Sequence, residues 1–300
     1  MNYEQFLLEY VPNHTDVIIL TAENRAAIRN LPNILTNNFI DTGICEQTLV
    51  GIAAGLALRG RIPIAHALAA FLTMRAFEFI RTDIGYPNLS VKLVGSFAGF
   101  LSEANGPTHQ AIEDIGLMRL IPNMQVFAPA DENDLVMMLP KILESKSPAY
   151  IRFCNLPNLI SHTDFQIGQP EIIGEGNDVV LFTYGAMFNE ILKVKNHLES
   201  NHINCTLVNM RTLKPVDSEL IATISLNCKL IVTIEDHFIN SGLYSIVSQI
   251  LFKNKIFKEI LAIGLDDRWF KPLMFDDIIK YEKFDYQNIS NQIFNKLKEI

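Results

Sequence analysis

Residues 41–60 have the sequence DTGICEQTLVGIAAGLALRG, residues 69–81 the sequence AAFLTMRAFEFIR, and residues 105–114 the sequence NGPTHQAIED. The first segment places Glu46 just before a run of small and apolar residues that predicts a closely packed helix. The second sets Phe71 among apolar residues, and the third places His109 in a Gly-Pro turn before an acidic helix start. A carboxylate, an aromatic ring and an imidazole on separate segments can converge on one ligand, so these three residues are the first candidates for a functional site.

Each of the three residues also has a common structural role. A glutamate at a helix start complements the helix dipole, and a phenylalanine in an apolar run usually belongs to the core. A histidine that follows Pro-Thr is often only a turn residue. The functional interpretation therefore depends on the combination of segments rather than on any one residue.

Patterns typical of strands and helices alternate along the chain. Short apolar runs such as VIILT, residues 17–21, predict buried strands, and amphipathic segments such as ENDLVMMLPKILES, residues 132–145, predict helices. This alternation favours an α/β fold with a mostly parallel sheet and helices on both of its faces. The polar segment 155–170 looks like a linker, and the alternation resumes after it. We predict two domains, residues 1–160 and 161–300, each a mostly parallel sheet flanked by helices.

Composition excludes several classes of protein. The chain has 25 basic and 33 acidic residues, a net charge of −8 and no basic run, which argues against a nucleic-acid partner. It has neither a run of about 18 apolar residues nor a basic, apolar leader, so we expect no membrane association and a cytoplasmic location. The four cysteines show no metal-ligand spacing and are typical of a reducing compartment.

The motifs taken together resemble one enzyme family. GICEQxxxGIAxGLAxxG, FLTxRAFxxIR and GPTHQAIEDIGLMRxIPNMxVxxPAD occur in this order, followed by TLKPVDSELI and IVTIEDH. In order and spacing they closely resemble the transketolase family of thiamine diphosphate enzymes over nearly the whole chain. The resemblance covers only the second half of a full-length member, the pyrimidine-binding domain plus the C-terminal domain, as in split two-subunit transketolases.

The resemblance implies roles for the candidate residues. Glu46 matches the glutamate that hydrogen-bonds the aminopyrimidine ring of thiamine diphosphate, and Phe71 matches the aromatic that stacks on this ring. Leu68 and Met74 stand where many relatives have another aromatic and a Tyr or Arg, so this wall of the cofactor site is more apolar than usual. His109 matches the histidine that faces the substrate and assists proton transfer at its hydroxyl or carbonyl group.

Three positions of the implied substrate channel depart from the family pattern. Asn105 replaces an aspartate directed toward the sugar hydroxyl, and Phe97 replaces a histidine. Arg152 is shifted by comparison with the phosphate-binding arginine of many relatives, and Phe153 or Asn155 takes that place. Because an arginine fork is the usual device for holding a phosphate, these departures argue against an ordinary pentose phosphate substrate.

The side of the site that binds the diphosphate has no counterpart in the sequence. The family holds Mg²⁺, or Ca²⁺, with a GDG motif and a distant Asn; here the nearest sequence is GEGND, residues 174–178, which more simply predicts a turn before a strand. We expect no metal ligand in this chain. A separate N-terminal-half subunit is expected to supply the metal ligands, and two copies of each half to form a heterotetramer.

Several functions remain open from the sequence. The first is the C-terminal subunit of a split transketolase-like enzyme, which transfers a two-carbon ketol or related acyl unit from a sugar or 2-oxo acid to an aldehyde or ketone, for example in specialised carbohydrate biosynthesis. The alternatives are the beta subunit of a 2-oxo acid dehydrogenase, a deoxyxylulose-phosphate-synthase-like enzyme, and a non-catalytic assembly or regulatory subunit. The cluster formed by Glu235, Asp236 and His237 is predicted to fix a loop rather than to do chemistry.

Overall fold

The computed structural model describes all residues from Met1 to Ile300. Its strands are β1 (Val17–Thr21), β2 (Phe39–Asp41), β3 (Ile62–Leu68), β4 (Lys92–Ser96), β5 (Gln125–Phe127), β6 (Ala149–Arg152), β7 (Glu171–Ile173), β8 (Val179–Thr183), β9 (Cys205–Asn209), β10 (Thr212–Lys214), β11 (Leu230–Phe238) and β12 (Ile260–Leu265). Its α-helices are α1 (Tyr3–Tyr10), α2 (Leu31–Ile34), α3 (Glu46–Leu58), α4 (Phe77–Phe79), α5 (Asp114–Leu120), α6 (Glu132–Glu144), α7 (Phe188–Ser200), α8 (Ser218–Leu226), α9 (Leu243–Lys253), α10 (Phe275–Tyr281) and α11 (Tyr286–Glu299).

Two sheets organise the chain. The first has seven strands in the order β10-β5-β6-β4-β3-β1-β2, and the second has five in the order β12-β11-β8-β9-β7. Every pairing is parallel except β10 with β5 and β7 with β9, which are antiparallel edge pairs. Central strands such as β1 and β8 are buried along their whole length, as expected for parallel strands covered on both faces. The predicted fold class, two mostly parallel sheets flanked by helices, is confirmed.

The two sheets are connected by a strand that crosses between them. After β9 of the second sheet the chain enters β10, which pairs with β5 at the edge of the first sheet. The chain then returns through α8 to β11 in the second sheet. The division at residue 160 remains a proposal. The strand β10 lies after this division in the sequence, yet it pairs with β5 and completes the first sheet.

A wide-turn helix carries one wall of the candidate site. The segments Phe71–Arg75 and Ile80–Gly85 are π-helical and flank the short helix α4. The sequence predicts one helix over residues 73–86, and the chain is helical there with wider turns. Wide turns of this kind are frequent at functional sites because they change the direction of the side chains along the helix.

The segment predicted as a linker is tied to the surrounding structure. Residues 155–168 contain no strand or helix, yet the side chains of His162 and Phe165 are buried. No helix of the chain is both long enough and apolar enough to span a lipid bilayer.

Candidate active site

The candidate residues lie beyond the carboxyl ends of neighbouring parallel strands. Glu46 begins the helix that follows β2, Phe71 lies three residues after β3, and Phe97 directly follows β4. In the sheet, β2, β1, β3 and β4 are consecutive neighbours. The carboxyl ends of parallel strands share one edge of a sheet, which is where open α/β sheets bind ligands.

Glu46 presents a buried carboxylate at the start of α3. The residue is 2% exposed, and its Oε2 accepts a hydrogen bond of 2.9 Å from Nη1 of Arg75. Oε1 accepts no hydrogen bond within the chain, and no side chain caps this end of the helix. One oxygen of a buried carboxylate is therefore left for an external donor, since buried polar groups are normally paired.

Arg75 and the ring of Phe71 together connect Glu46 to His109. The guanidinium carbon of Arg75 lies 4.3 Å from the centroid of the Phe71 ring. The ring of His109 meets Phe71 edge-on, with centroids 5.0 Å apart and planes at 61°. The structure thus brings together Glu46, Phe71 and His109, with Arg75 between the first two.

His109 is held by its own turn. Its backbone N–H donates to the carbonyl of Gly106 at 2.9 Å, and Gly106 has a φ of +80°, which favours glycine. Nδ1 lies 2.9 Å from Oγ1 of Thr108, and Nε2 has no hydrogen-bond partner within the chain. The second nitrogen of a half-buried imidazole is therefore available to a ligand.

Leu68 and Met74 flank the aromatic residue along the chain. Leu68 ends β3 and is half-buried, and Met74 lies on the wide turn with 40% of its surface exposed. Both are adjacent to the Phe71 segment and apolar. Their roles in cofactor binding remain predictions.

A separate cavity of about 260 Å³ opens at the same edge of the sheet. It is lined by Ala26, Ala27, Ser96, Phe97, Leu101, Glu103, Phe153, Asn155, Leu156 and Phe275. The predicted channel residue Phe97 is among them, in a positive-φ conformation of +59°. Asn105 is exposed, does not line this cavity, and donates through Nδ2 to the carbonyl of Ser102 at 2.7 Å.

Arg152 requires a correction, because the structure does not place it in the substrate channel. It is 4% exposed, its Nε donates to Oδ2 of Asp114 at 3.1 Å, and its Nη1 pairs with Asp236. Burial by itself would lower the pKa of Arg152, but the two carboxylates raise it well above its usual value. Its guanidinium is occupied by these acids and is not available to a substrate phosphate.

The cluster Glu235, Asp236 and His237 supports the structural interpretation. Glu235 accepts hydrogen bonds from the N–H groups of Leu243 and Tyr244, at 2.6 and 2.9 Å, and so caps α9. Nε2 of His237 accepts the N–H of Gly116 at 3.3 Å; burial lowers the pKa of this imidazole to about 4, so it remains neutral. All three side chains are fully buried and connect backbone segments of the two sheets.

Two residues near the candidate site, Arg75 and Glu103, have no role that was predicted from the sequence. The signal for Arg75 was present, since an arginine four residues after Phe71 on a helix can reach back to the ring. Glu103 lies in an irregular loop with no periodicity, so no sequence pattern indicates that it faces a cavity. From Met1 to Ile300, no three His, Cys, Asp or Glu side chains lie close enough to hold a metal ion.

Two family models match the chain. The pyrimidine binding domain of transketolase matches residues 4–156, and the C-terminal domain of transketolase matches residues 168–289. Together these matches leave only short terminal segments and residues 157–167 unmatched.

Individual relatives show the same pattern. The chain is 32% identical to a putative transketolase C-terminal section of Methanocaldococcus jannaschii, over 99% of this chain and 95% of that protein. It is 33% identical to the 6-deoxy-6-sulfo-D-fructose transketolase subunit SqwH of Clostridium sp., over 84% of this chain and 80% of that protein. It is also 31% identical to the 1-deoxy-D-xylulose-5-phosphate synthase of Caldanaerobacter subterraneus subsp. tengcongensis, over 89% of this chain but only 43% of that protein.

A solved structure described as a split gene transketolase, inactive beta4 tetramer, has the same fold. It superposes with a TM-score of 0.89 at 31% identity, over 99% of this chain and 97% of that one.

Proposed function

The chain belongs to the transketolase family, and on this premise we propose that it is the C-terminal subunit of a split, thiamine diphosphate-dependent transferase. The enzyme transfers a two-carbon ketol unit, or a related acyl unit, from a sugar or 2-oxo acid donor to an aldehyde or ketone acceptor. The observation that carries the proposal is the buried Glu46 carboxylate, which Arg75 connects to the ring of Phe71, with His109 at the edge of the same ring.

These residues fit the pyrimidine half of the cofactor. The carboxylate of Glu46 is largely buried, and its Oε1 accepts no hydrogen bond within the chain, which suits a hydrogen-bond donor of the aminopyrimidine ring. Phe71 offers the flat surface on which such a ring stacks, and Leu68 and Met74 supply apolar surface beside it. When bound, thiamine diphosphate supplies the electron sink for carbon–carbon bond cleavage.

The chain's own residues then have distinct tasks. Glu46 orients the pyrimidine and holds or releases a proton at its ring nitrogen. Arg75 donates to Oε2 of Glu46 and so fixes the carboxylate with Oε1 free. His109 moves a proton at the carbonyl or hydroxyl oxygen of the substrate through its free Nε2.

The overall transfer balances without an external oxidant or reductant. The carbon–carbon bond beside the donor carbonyl breaks, and a new bond forms to the carbonyl carbon of the acceptor. The acceptor oxygen gains a proton to become a hydroxyl, and the donor hydroxyl loses one to become a carbonyl. With a 2-oxo acid donor, carbon dioxide leaves instead and a proton is taken up.

A second chain is needed for the diphosphate half. We propose that an N-terminal-half subunit supplies the Mg²⁺ or Ca²⁺ ligands and that the halves assemble into a heterotetramer. The division of function between two chains is supported by the coverage of the relatives, which are themselves a C-terminal section and a subunit. The structural neighbour, an inactive tetramer of beta chains, supports the view that this half alone has no activity.

One alternative enzyme has support of its own. The similarity to a 1-deoxy-D-xylulose-5-phosphate synthase favours acyl transfer from a 2-oxo acid to a sugar aldehyde as the second candidate reaction. A non-catalytic assembly subunit would have no use for a largely buried Glu46 carboxylate with one oxygen left without a partner.

Substitution of Glu46 tests the proposal. In the complex reconstituted with the partner subunit, we expect Glu46→Gln to lower kcat/KM by about 100-fold or more, because a catalytic proton-transfer group is lost. Glu78→Gln removes an exposed carboxylate from α4, beside the wide turn that carries Phe71, and is expected to leave kcat/KM unchanged. Unchanged activity of Glu46→Gln would contradict the catalytic role and favour an assembly subunit.

A further inference from the structure

Glu103 adopts a backbone conformation that residues other than glycine rarely occupy. Its φ of +52° and ψ of −133° interrupt the helical turns of residues Gly99–Asn105. These angles lie outside the left-handed helical region and favour glycine. Strain of this kind persists where the surrounding structure enforces it, and such positions cluster at functional sites.

The strained glutamate lines the 260 Å³ cavity at the carboxyl edge of the first sheet. Phe97, Phe153 and Phe275 provide aromatic walls, and Phe97 is itself at positive φ. Ser96 contributes a buried hydroxyl that has no hydrogen-bond partner. The cavity therefore combines apolar surfaces with a few unpaired polar atoms, which is typical of a small-molecule site.

Glu103 is the only ionisable side chain that lines this cavity. Its Oε1 accepts the backbone N–H of Phe275 at 3.3 Å, and Oε2 accepts nothing within the chain. Arg25 and Arg29 flank the lining residues Ala26 and Ala27 in sequence, but neither lines the cavity, and Arg25 is paired with Asp41. No basic side chain lines this cavity to balance the negative charge of the Glu103 carboxylate.

The cavity is adjacent to the site of group transfer. Ala98, next to Phe97, forms a β-bridge with Ala111, two residues after His109. Ala98 and Ala111 also pack in one small apolar cluster against Phe71. A substrate whose carbonyl group meets His109 can therefore extend its far end toward Glu103.

We propose that Glu103 is a specificity-determining residue that selects substrates whose far end is a neutral, hydroxyl-bearing group rather than a phosphate ester. Oε2 accepts hydrogen bonds from the hydroxyl groups, and the aromatic walls contact the carbon skeleton. A phosphate would lie beside the Glu103 carboxylate in a partly apolar cavity that no basic side chain lines. The repulsion between the two negative charges makes this arrangement unfavourable. This inference deepens the proposed function and rests on it.

The first test concerns the backbone strain and uses the chain alone. Glu103→Gly places glycine in a conformation that favours it, so we expect Tm to rise by about 2 °C or more. Lys255→Gly, at an exposed residue with φ +57°, is the matched control for relief of a positive φ far from the cavity. A fall in the Tm of Glu103→Gly would show that the glutamate is kept for stability and would overturn the argument from strain.

The second test measures selectivity in the complex with the partner subunit. D-ribose and D-ribose 5-phosphate serve as acceptors, with hydroxypyruvate as the donor. We expect the wild type to favour D-ribose by about tenfold or more in kcat/KM, and Glu103→Gln and Glu103→Gly each to reduce this ratio by about tenfold. Lys255→Gly is expected to leave the ratio unchanged. A wild type that prefers the phosphate ester, or a ratio unchanged by Glu103→Gln, would overturn the proposal.

Failure of the proposed function is distinguishable from failure of this inference. If the complex transfers no carbon unit, the function itself fails. Binding of D-ribose and D-ribose 5-phosphate to the chain can then be compared by saturation-transfer NMR. Preferential contact with D-ribose that is lost in Glu103→Gln would still support the role of Glu103, and equal or phosphate-preferring contact would contradict it.

Discussion

His162 has a buried side chain in a segment that looks like a linker in the sequence. Its Nε2 and Nδ1 each lie 2.8 Å from a carboxylate oxygen, of Asp131 and Glu171 respectively. Burial would lower the pKa of His162, but the hydrogen bonds to the two acids outweigh burial and raise it to about 10. Glu171 responds in the opposite direction: burial would raise its pKa, yet the hydrogen bonds, chiefly from His162, lower it to about 2.

This pair of contacts predicts a dependence of stability on pH. Because the folded pKa of His162 is raised, its contribution is complete below the unfolded pKa of about 6.5 and is lost as the pH rises through about 10. We expect His162→Gln to lower the free energy of unfolding by about 3 kcal/mol at pH 6, since it leaves two buried acids without their cation. The difference from the wild type should shrink toward pH 10.

Urea unfolding at pH 6, 8 and 10 measures this difference. His14→Gln removes an exposed imidazole and is expected to give no such trend. If the loss in free energy of unfolding caused by His162→Gln stayed constant from pH 6 to 10, this result would contradict a charged His162.

Individual site residues were predictable to the extent that short motifs determine them. The sequence predicted the roles of Glu46, Phe71 and His109, and the structure brings these three together, although their roles remain proposals. It assigned Arg152 to the substrate channel, because nothing local indicates that Asp236, 84 residues away, takes its guanidinium. Contacts of this kind between distant segments are set by the tertiary fold.

The start of α9 depends on a close approach between a glycine and a carboxylate. Glu235 caps this helix through the N–H groups of Leu243 and Tyr244. A Cβ on Gly242 would lie 1.8 Å from Oε2 of Glu235, so no other residue fits without displacing the cap. The side chain of Glu235 is fully buried, and this burial raises the pKa of its carboxyl group to about 8.

Two glycine substitutions give opposite expected effects. Gly242→Ala should lower the free energy of unfolding by about 1–3 kcal/mol, because the Glu235 carboxyl loses its backbone donors. Gly51→Ala, in the interior of α3 with nothing within 4 Å of the new Cβ, should raise it by about 0.5–1 kcal/mol. Urea unfolding of both variants measures the contrast, and a neutral Gly242→Ala would contradict the proposed cap.

Secondary structure was predictable where the apolar pattern was long. The strands β1, β3 and β8, and the closing helix α11, follow directly from apolar runs and amphipathic periodicity. The three-residue edge strands β7 and β10 were missed, because their pairing partners rather than their own residues define them. The last strand, β12, was also missed, although its sequence ILAIGL, residues 260–265, is an apolar run of the kind that indicates a buried strand.

The two sheets form one connected structure through buried charges as well as through β10. Arg152 of the first sheet is held by Asp236 of the second, and Phe100 donates its backbone N–H to the same aspartate at 3.1 Å. The loop that carries Phe97, Glu103 and His109 is thus supported from both sheets. The fold class was predictable from the alternation of strands and helices, whereas this arrangement was not, because no sequence pattern encodes which buried charges meet.

The chain carries one half of the proposed enzyme site. This chain offers a carboxylate, an aromatic ring and an imidazole for the pyrimidine and substrate, and we propose that the diphosphate is held by another chain. Affinity for thiamine diphosphate should then require both subunits, since the metal and phosphate contacts supply much of the binding energy.

Calorimetric titration of thiamine diphosphate with Mg²⁺ into the purified chain tests this claim most directly. We expect no saturable heat beyond that of dilution from this chain alone, and stoichiometric binding once the partner subunit is added. Tight one-to-one binding to this chain alone would contradict the division of the site between two subunits.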